Sequence, residues 1–342
     1  MEATIRPFSL QDAPLNRAQE RVARRLKGEL ARFAKADLTK AEVIAEMREI
    51  VGNDPDAAEE VFCNGTIKAL RAALEKGSDE VAEFMIQLSE LGDAKRTFIV
   101  DDETRPRPYW VQFGARGVLV RYMRPTQKGL GTRPNFEVGF TLWGASLVLS
   151  RAIIEGSFDL ARKDVLELGS GLGLCGLVAG TFGNCKSVHL TDFHPMVVAN
   201  CRFNLELNGL ESMGTAFALD WEAPDEVLES VGPTSNDGSG QYDVVIGSDI
   251  VCQPEDCSSI ARILSQFLKP SGVAIFVLGS PESRYGVAEF PQTLRNLGFK
   301  VELKDEYDGN LSWVSSGDGE SLDLLVGHAR SYGLYLVTRL PR

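Results

Sequence analysis

Apolar and polar positions change their period twice along the chain. Over the first hundred residues the apolar positions recur at helical spacing, as in Leu26 to Phe33. Thr39-Lys40-Ala41-Glu42 is a capping-box pattern that opens a predicted helix through Ile50. Asp54-Pro55 supplies an N-cap and a proline at the first helical position. Two further helices are predicted, from Thr66 to Glu75 before Gly77, and from Ser78 to Leu91 before Gly92. Tyr109–Phe113 and Val118–Tyr122 then switch to β-branched and aromatic residues, with Gly114 to Gly117 between them, which predicts a hairpin. A polar stretch with Pro125, Gly129, Gly131 and Pro134 reads as loop, and Leu142–Ile154 as an amphipathic helix.

From Asp164 onward predicted strands and helices alternate. The strands are Asp164–Leu168, Ser187–Thr191, Thr215–Leu219, Tyr242–Gly247 and Val273–Leu278. The helices are Leu174–Thr181, Pro195–Asn208, Pro254–Leu268 and Val287–Leu297. Such alternation predicts an α/β fold with a mostly parallel sheet covered on both faces. Lys300–Leu303 and Leu334–Thr338 close the chain as strands with no helix-length pattern between them, so antiparallel pairing is expected. Asp225 to Gly240 reads as a surface loop. Two domains follow from these patterns: residues 1–108, helical and without a chemical motif, serving docking or structure; and residues 109–342, carrying the chemistry.

Composition narrows the class. With 342 residues, 44% hydrophobic and 25% charged, the chain is an ordinary globular protein. No apolar run reaches the roughly 20 residues of a membrane helix, and Met1 to Glu20 lack the apolar core of a secretory signal. No membrane partner is expected. A net charge of −12 disfavours nucleic acid and suits basic partners such as lysine-bearing protein segments. The six cysteines form no CxxC pair and there are three histidines, so a zinc cluster is not expected. Scattered thiols read as reduced, in cytosol or nucleus.

Four strand ends carry candidate chemistry. Val165 to Gly173 is a buried strand running into a glycine turn and a helix, where glycines admit a ligand close to the backbone. Gly171, Gly173 and Gly176 also match a dinucleotide G-x-G-x-x-G, although that frame begins two residues after the strand-end glycine, Gly169. Asp192, in Thr191-Asp192-Phe193, stands about 20 residues beyond the glycines, where a carboxylate accepts the ribose hydroxyls of a nucleoside. A cap for the next helix is the structural alternative. Trp221 closes the third strand and offers an indole to an adenine face, or simply covers the sheet end. Gly247 to Cys252 closes the fourth strand. There Asp249 faces the ligand's reactive group, or caps the helix near Pro254.

On these residues the region from about Tyr109 to the C-terminus resembles the seven-β-strand protein-lysine methyltransferases, the methyltransferase-like and FAM86-type group. The shared features are the hairpin and the tryptophan of Gly139 to Ser146, followed by the E-L-G-x-G-x-G turn from Glu167 to Gly173. Thr191-Asp192 follows, with Asn200, Asn204 and Asn208 spaced along a helix. L-x-W at Leu219 to Trp221 and the D-x-x segment at Asp249 complete the pattern. The resemblance implies a Rossmann-like methyltransferase sheet of seven strands beside an N-terminal helical domain and a β-hairpin. It implies S-adenosyl-L-methionine as cofactor, held by Trp143, Glu167, Gly169, Gly171, Gly173, Asp192, Phe193, Trp221 and Ser248. Asp249 becomes the catalytic residue, orienting the substrate lysine amine. Cys252 lies in the substrate site where the family usually has an aromatic residue.

The function implied is transfer of methyl to a lysine of a protein substrate, with translation factors and chaperones as candidates, by a monomeric cytoplasmic or nuclear enzyme. Two alternatives stay open: methylation of another nucleophile, such as a protein histidine or a small molecule, and a non-catalytic cofactor-binding interaction module.

Overall fold

The computed structural model describes residues 1–7, 43–45, 47, 70, 81, 84, 107–122, 138–222, 240–317 and 326–340. The chain divides into two compact units, one of Met1–Phe8 with Arg107–Arg342, the other of Ser9–Pro106. In the second unit, Ile44, Met47, Leu70, Val81 and Phe84 are helical and buried, and they fall in three of the expected helices. The expected helices at Leu26–Phe33 and after Asp54 lie outside the described residues, as does most of the expected loop at Asp225 to Gly240.

The first unit departs from the expected division at residue 108. Its first element is a strand, β1 (Ala3–Pro7), in which Ala3 and Ile5 alternate inward and are fully buried. It lies antiparallel to β2 (Arg107–Phe113), with Ala3 opposite Phe113 and Pro7 opposite Tyr109. β2 turns at Gly114, which holds φ +59°, into β3 (Arg116–Tyr122). Residues 8–106 therefore lie in sequence between two paired strands of the first unit. On its other edge β1 pairs in parallel with β10 (Val314–Ser316), which completes a four-stranded sheet in the order β10-β1-β2-β3.

The second sheet carries the chemistry. After α1 (Gly144–Ile154) come β4 (Asp164–Leu168), α2 (Leu174–Phe182), β5 (Ser187–Asp192), α3 (Pro195–Leu207) and β6 (Gly214–Ala218). The chain then returns through β7 (Tyr242–Ser248), α4 (Pro254–Phe267), β8 (Leu268–Gly279), α5 (Phe290–Asn296), β9 (Phe299–Asp308) and β11 (Ser331–Arg339). The seven strands are ordered β6-β5-β4-β7-β8-β11-β9. β4 through β8 are parallel, and β11 runs antiparallel between β8 and β9, as expected for the two closing strands. All five residues of β4 are buried, the mark of a parallel strand covered on both faces. α4 buries Cys257, Ile260, Ala261, Leu264 and Phe267 at helical spacing against this sheet.

One expected helix is broken. Val287–Leu297 is instead a 3-10 turn (Tyr285–Ala288) followed by α5. Pro291 has no N–H to continue a ladder from the preceding turn, so it stands in the first turn of a new helix.

Asn200 and Asn204 of α3, with Asn208 just past its end, join the helix to the edge of β3. Asn208 Oδ1 accepts the Leu119 N–H at 2.9 Å and its Nδ2 donates to the Leu119 carbonyl at 2.6 Å. Asn204 Oδ1 accepts the Arg121 N–H at 2.9 Å. Asn200 Nδ2 donates to the Arg121 carbonyl at 3.0 Å, and its Oδ1 accepts from Arg121 Nε at 2.8 Å. Buried backbone groups of a strand edge need partners, and here amide side chains supply them in place of a fifth strand. The guanidinium of Arg121 lies 3.9 Å from the centre of the Phe203 ring on the same helix.

Candidate active site

Strand order reverses between β4 and β7, and open α/β sheets bind ligands at the carboxyl ends of strands beside such a reversal. A cavity of about 230 Å³ lies there. Gly169 to Leu172 after β4, Asp192 to His194 at the end of β5, and Ser248 to Ile250 at the end of β7 line it, with Val138, Gly139, Thr141, Trp143 and Ser146 from the approach to α1 on the other side.

The glycine turn is shaped by left-handed backbone. Gly169, Gly171 and Gly173 hold φ of +55°, +52° and +76°, conformations that cost a Cβ-bearing residue roughly 1–2 kcal/mol. A Cβ on Gly169 would also stand 2.8 Å from Ile250 Cγ2, and one on Gly171 would stand 3.2 Å from the Gly139 carbonyl oxygen. These two glycines keep the backbone at the cavity wall. Gly173 and Gly176 do something else: a Cβ there would meet the Leu190 side chain at 2.8 and 2.1 Å. They allow α2 to approach β5, so the dinucleotide-type frame has two of its three glycines turned into the sheet.

Asp192 sits at the end of β5 with both oxygens engaged by backbone. Oδ2 accepts the Gly171 N–H at 3.0 Å and Oδ1 the His194 N–H at 3.1 Å. A carboxylate offers about four acceptor positions, and these backbone bonds leave acceptor capacity toward the cavity. Burial raises its pKa, and the backbone N–H groups of His194, Gly171 and Phe193 oppose that rise. Phe193 beside it lines the cavity and is 69% exposed.

Asp249, at the end of β7, holds φ +54°, and its N–H donates to the Val277 carbonyl at 2.8 Å. A non-glycine residue in this region is held there by its surroundings. Its carboxylate does not cap α4. That cap is made by Asp256, whose Oδ2 accepts the Cys252 and Gln253 N–H groups at 2.8 Å. Asp249 instead accepts two bonds from Arg284 and one from the Gly279 N–H.

Of the residues expected at the site, the structure brings Trp143, Gly169, Gly171, Asp192, Phe193, Ser248 and Asp249 to one cavity. Four expected there are elsewhere. Glu167 is fully buried behind the turn, where Oε2 accepts the Gly176 N–H at 3.1 Å, and burial pushes its pKa up to about 8. Gly173 starts α2. Trp221 packs on the core cluster beside Gly169, and its carbonyl accepts from Arg262 at 3.2 Å. Cys252 is exposed past the end of β7, and the Gly286 N–H donates to its carbonyl at 3.1 Å. Arg284 was not singled out by the sequence. It lies 35 positions from Asp249 and has no local motif, and only the adjacency of the β7 and β8 ends brings the two together.

Fold and cavity together define a Rossmann-like α/β domain, with seven strands in the order above and a glycine turn at the point of reversal. Residues 132–294 match the family described as lysine methyltransferase. A putative uncharacterized protein of Dictyostelium discoideum is 30% identical over 186 residues, covering 47% of this chain and 50% of that protein. The protein-lysine N-methyltransferase EFM2 of Saccharomyces cerevisiae is 28% identical over 156 residues, 40% and 35% of the two chains. The human protein-lysine N-methyltransferase EEF2KMT is 27% identical over 191 residues, 51% and 54%. The chain thus spans about half the length, or less, of these curated relatives.

Proposed function

We propose that the chain is a protein-lysine N-methyltransferase that uses S-adenosyl-L-methionine. The observation that carries this reading is the meeting of two carboxylates, Asp192 and Asp249, across one cavity at the ends of β5 and β7. The first suits a nucleoside and the second a cationic acceptor. The cradle fits the cofactor: the wall at Gly169 and Gly171 has no room for a side chain, and Asp192 lines the cavity with a carboxylate that can accept from ribose hydroxyls. Trp143 faces that wall from the approach to α1, and Ser248 lines the cavity from the end of β7. The relatives named as protein-lysine methyltransferases support lysine as the acceptor.

When bound, the cofactor supplies an electrophilic methyl on a sulfonium, so that the N–C bond forms as the C–S bond breaks, the electron pair stays on sulfur, and the amine proton leaves to water. The chain's own task is alignment. Asp249 accepts a hydrogen bond from the amine and points its lone pair into the cavity. Ser248 and the glycine turn fix the opposite wall. A free lysine amine has a pKa near 10.4, and partial desolvation in the cavity favours its neutral, nucleophilic form.

The test is transfer of labelled methyl from S-adenosyl-L-methionine into a methyl-depleted lysate, comparing wild type with Asp249→Ala. The expected result is a protein band labelled by wild type alone, with the label on lysine, while Asp249→Ala still binds S-adenosylhomocysteine. Label on histidine or on a small molecule would replace the acceptor. No label from a wild type that binds the cofactor would overturn catalysis.

A further inference from the structure

Asp249 does not meet an incoming amine as a lone anion. Arg284 donates from Nε to Oδ1 at 3.0 Å and from Nη2 to Oδ2 at 2.5 Å, the two-pronged geometry of a strong guanidinium–carboxylate pair. The Gly279 N–H adds a bond to Oδ1 at 3.3 Å. The Arg284 guanidinium carbon lies 5.0 Å from the centre of the Trp143 ring, and Trp143 lines the cavity. The side chains of Arg284 and Asp249 are 17% and 4% exposed, so water screens the pair little. Three of about four acceptor positions on the carboxylate are filled, and the one that remains is on Oδ2.

The charges of the pair cancel. This matters because an unpaired carboxylate beside an amine stabilises the ammonium form, and an ammonium has no lone pair to give. A carboxylate already neutralised by a guanidinium accepts an N–H from an uncharged amine without drawing a proton onto it. We propose that Arg284 is a positioning residue that cancels the charge of Asp249 and aims its remaining lone pair, so that the cavity selects the acceptor amine in its uncharged form. The proposal rests on the reading of the site as an amine methyltransferase and names how that site chooses the protonation state of its substrate.

Among the described residues, two other titratable groups face the pair. Cys252 follows β7 and Tyr332 belongs to β11. Partial desolvation by the surrounding protein and the nearby Asp249 charge raise the exposed Cys252 thiol, and burial pushes Tyr332 up to about 12, so both are uncharged around neutral pH. Asp256 is the next anion, and its carboxylate is engaged by the Cys252 and Gln253 N–H groups. Trp143, from the start of α1, brings no charge. Among the described residues, Arg284 is therefore the cation that offsets Asp249.

The experiment compares wild type, Arg284→Met and Arg284→Lys, with S-adenosylhomocysteine present and n-butylamine as the probe. Binding is measured by calorimetry from about pH 7 to about pH 10.5, below and up to the pKa of an alkyl amine. Wild type is expected to bind with an apparent affinity that rises about tenfold per pH unit, since only the neutral fraction is accepted. Arg284→Met is expected to bind at least about tenfold more tightly than wild type near pH 7 and to lose that rise, because the ammonium now pairs with Asp249. Arg284→Lys, which restores a cation, is expected to recover most of the wild-type dependence. In turnover, the acid limb of the kcat profile is expected to move up by about one pH unit in Arg284→Met while KM falls. A merely structural role would lower kcat alike at every pH. Equal pH dependence in wild type and Arg284→Met, preference of wild type for the cation, or no amine binding by any of the three would overturn the proposal. The binding arm needs no turnover, so a failure of lysine methylation is distinguishable from a failure of the Arg284 assignment.

Discussion

Single residues around the glycine turn do different work from what their place in a motif suggests. Glu167 belongs to the motif yet faces inward, and its carboxyl is shifted to about 8 chiefly by burial, with the Gly176 N–H opposing. The sign follows from proton counting. Between the ordinary carboxyl range near 4.5 and about 8 the folded protein holds a proton that the unfolded chain has lost, so stability falls as pH rises through that window. The contribution is on the order of 5 kcal/mol across it. Glu167→Gln keeps an acceptor for the Gly176 N–H and has nothing to ionise. Urea unfolding of both proteins at about pH 5 and about pH 8 should show wild type losing stability relative to the variant; parallel behaviour would mean the carboxylate is already ionised in the fold. Motif spacing located Gly169, Gly171, Asp192 and Asp249 because strand ends converge wherever the sheet is parallel. It did not separate the residues that face the cavity from Glu167, Gly173 and Trp221, which brace it from behind, since facing is decided by packing across β5 and α4.

At the scale of elements, α3 acts as a substitute strand. Its asparagines saturate the edge of β3, and Asn204 reaches further: its Nδ2 donates to the Leu172 carbonyl at 2.9 Å, inside the glycine turn. The helix thus ties the hairpin to the cavity wall. Asn204→Ala would leave the Arg121 N–H and the Leu172 carbonyl without this partner, at a cost of roughly 2–4 kcal/mol. The expected result is a fall in the thermal midpoint of roughly 5–15 °C, together with weaker S-adenosylhomocysteine binding. An unchanged midpoint would show that water replaces the amide. The alternation from β4 to β8 was readable because each strand is a short apolar run bounded by turn residues and followed by a capped helix. β1 and β10 were not. Ala3–Pro7 is five residues with Ala3 and Ile5 as its apolar alternation, and Val314–Ser316 is three residues long, too short for any period to show.

For the whole molecule, the pairing of Pro7 with Tyr109 means that residues 9–106 leave and rejoin the first unit at neighbouring points on paired strands. Long insertions at such a connection are tolerated because loop-closure entropy grows slowly with length. Replacing residues 9–106 by a short turn is expected to leave S-adenosylhomocysteine affinity unchanged, and to abolish transfer to the protein substrate if the helical unit docks it. Removing everything before Arg107 also takes β1 away and should lower the thermal midpoint, since β2 and β10 lose their shared partner. Retained protein methylation without residues 9–106 would assign that unit no part in substrate capture.

The same β1 has a consequence for synthesis. Its parallel partner β10 lies 311 positions downstream, at Thr4 and Ser315. At roughly 5–20 residues per second, a ribosome takes roughly a quarter of a minute to a minute to make that stretch. β1 must therefore wait with an open hydrogen-bonding edge while the residues between it and β10 are made. The smaller sheet closes only after β10 has been synthesised, and until then a short β1 offers little edge for any other segment to pair with.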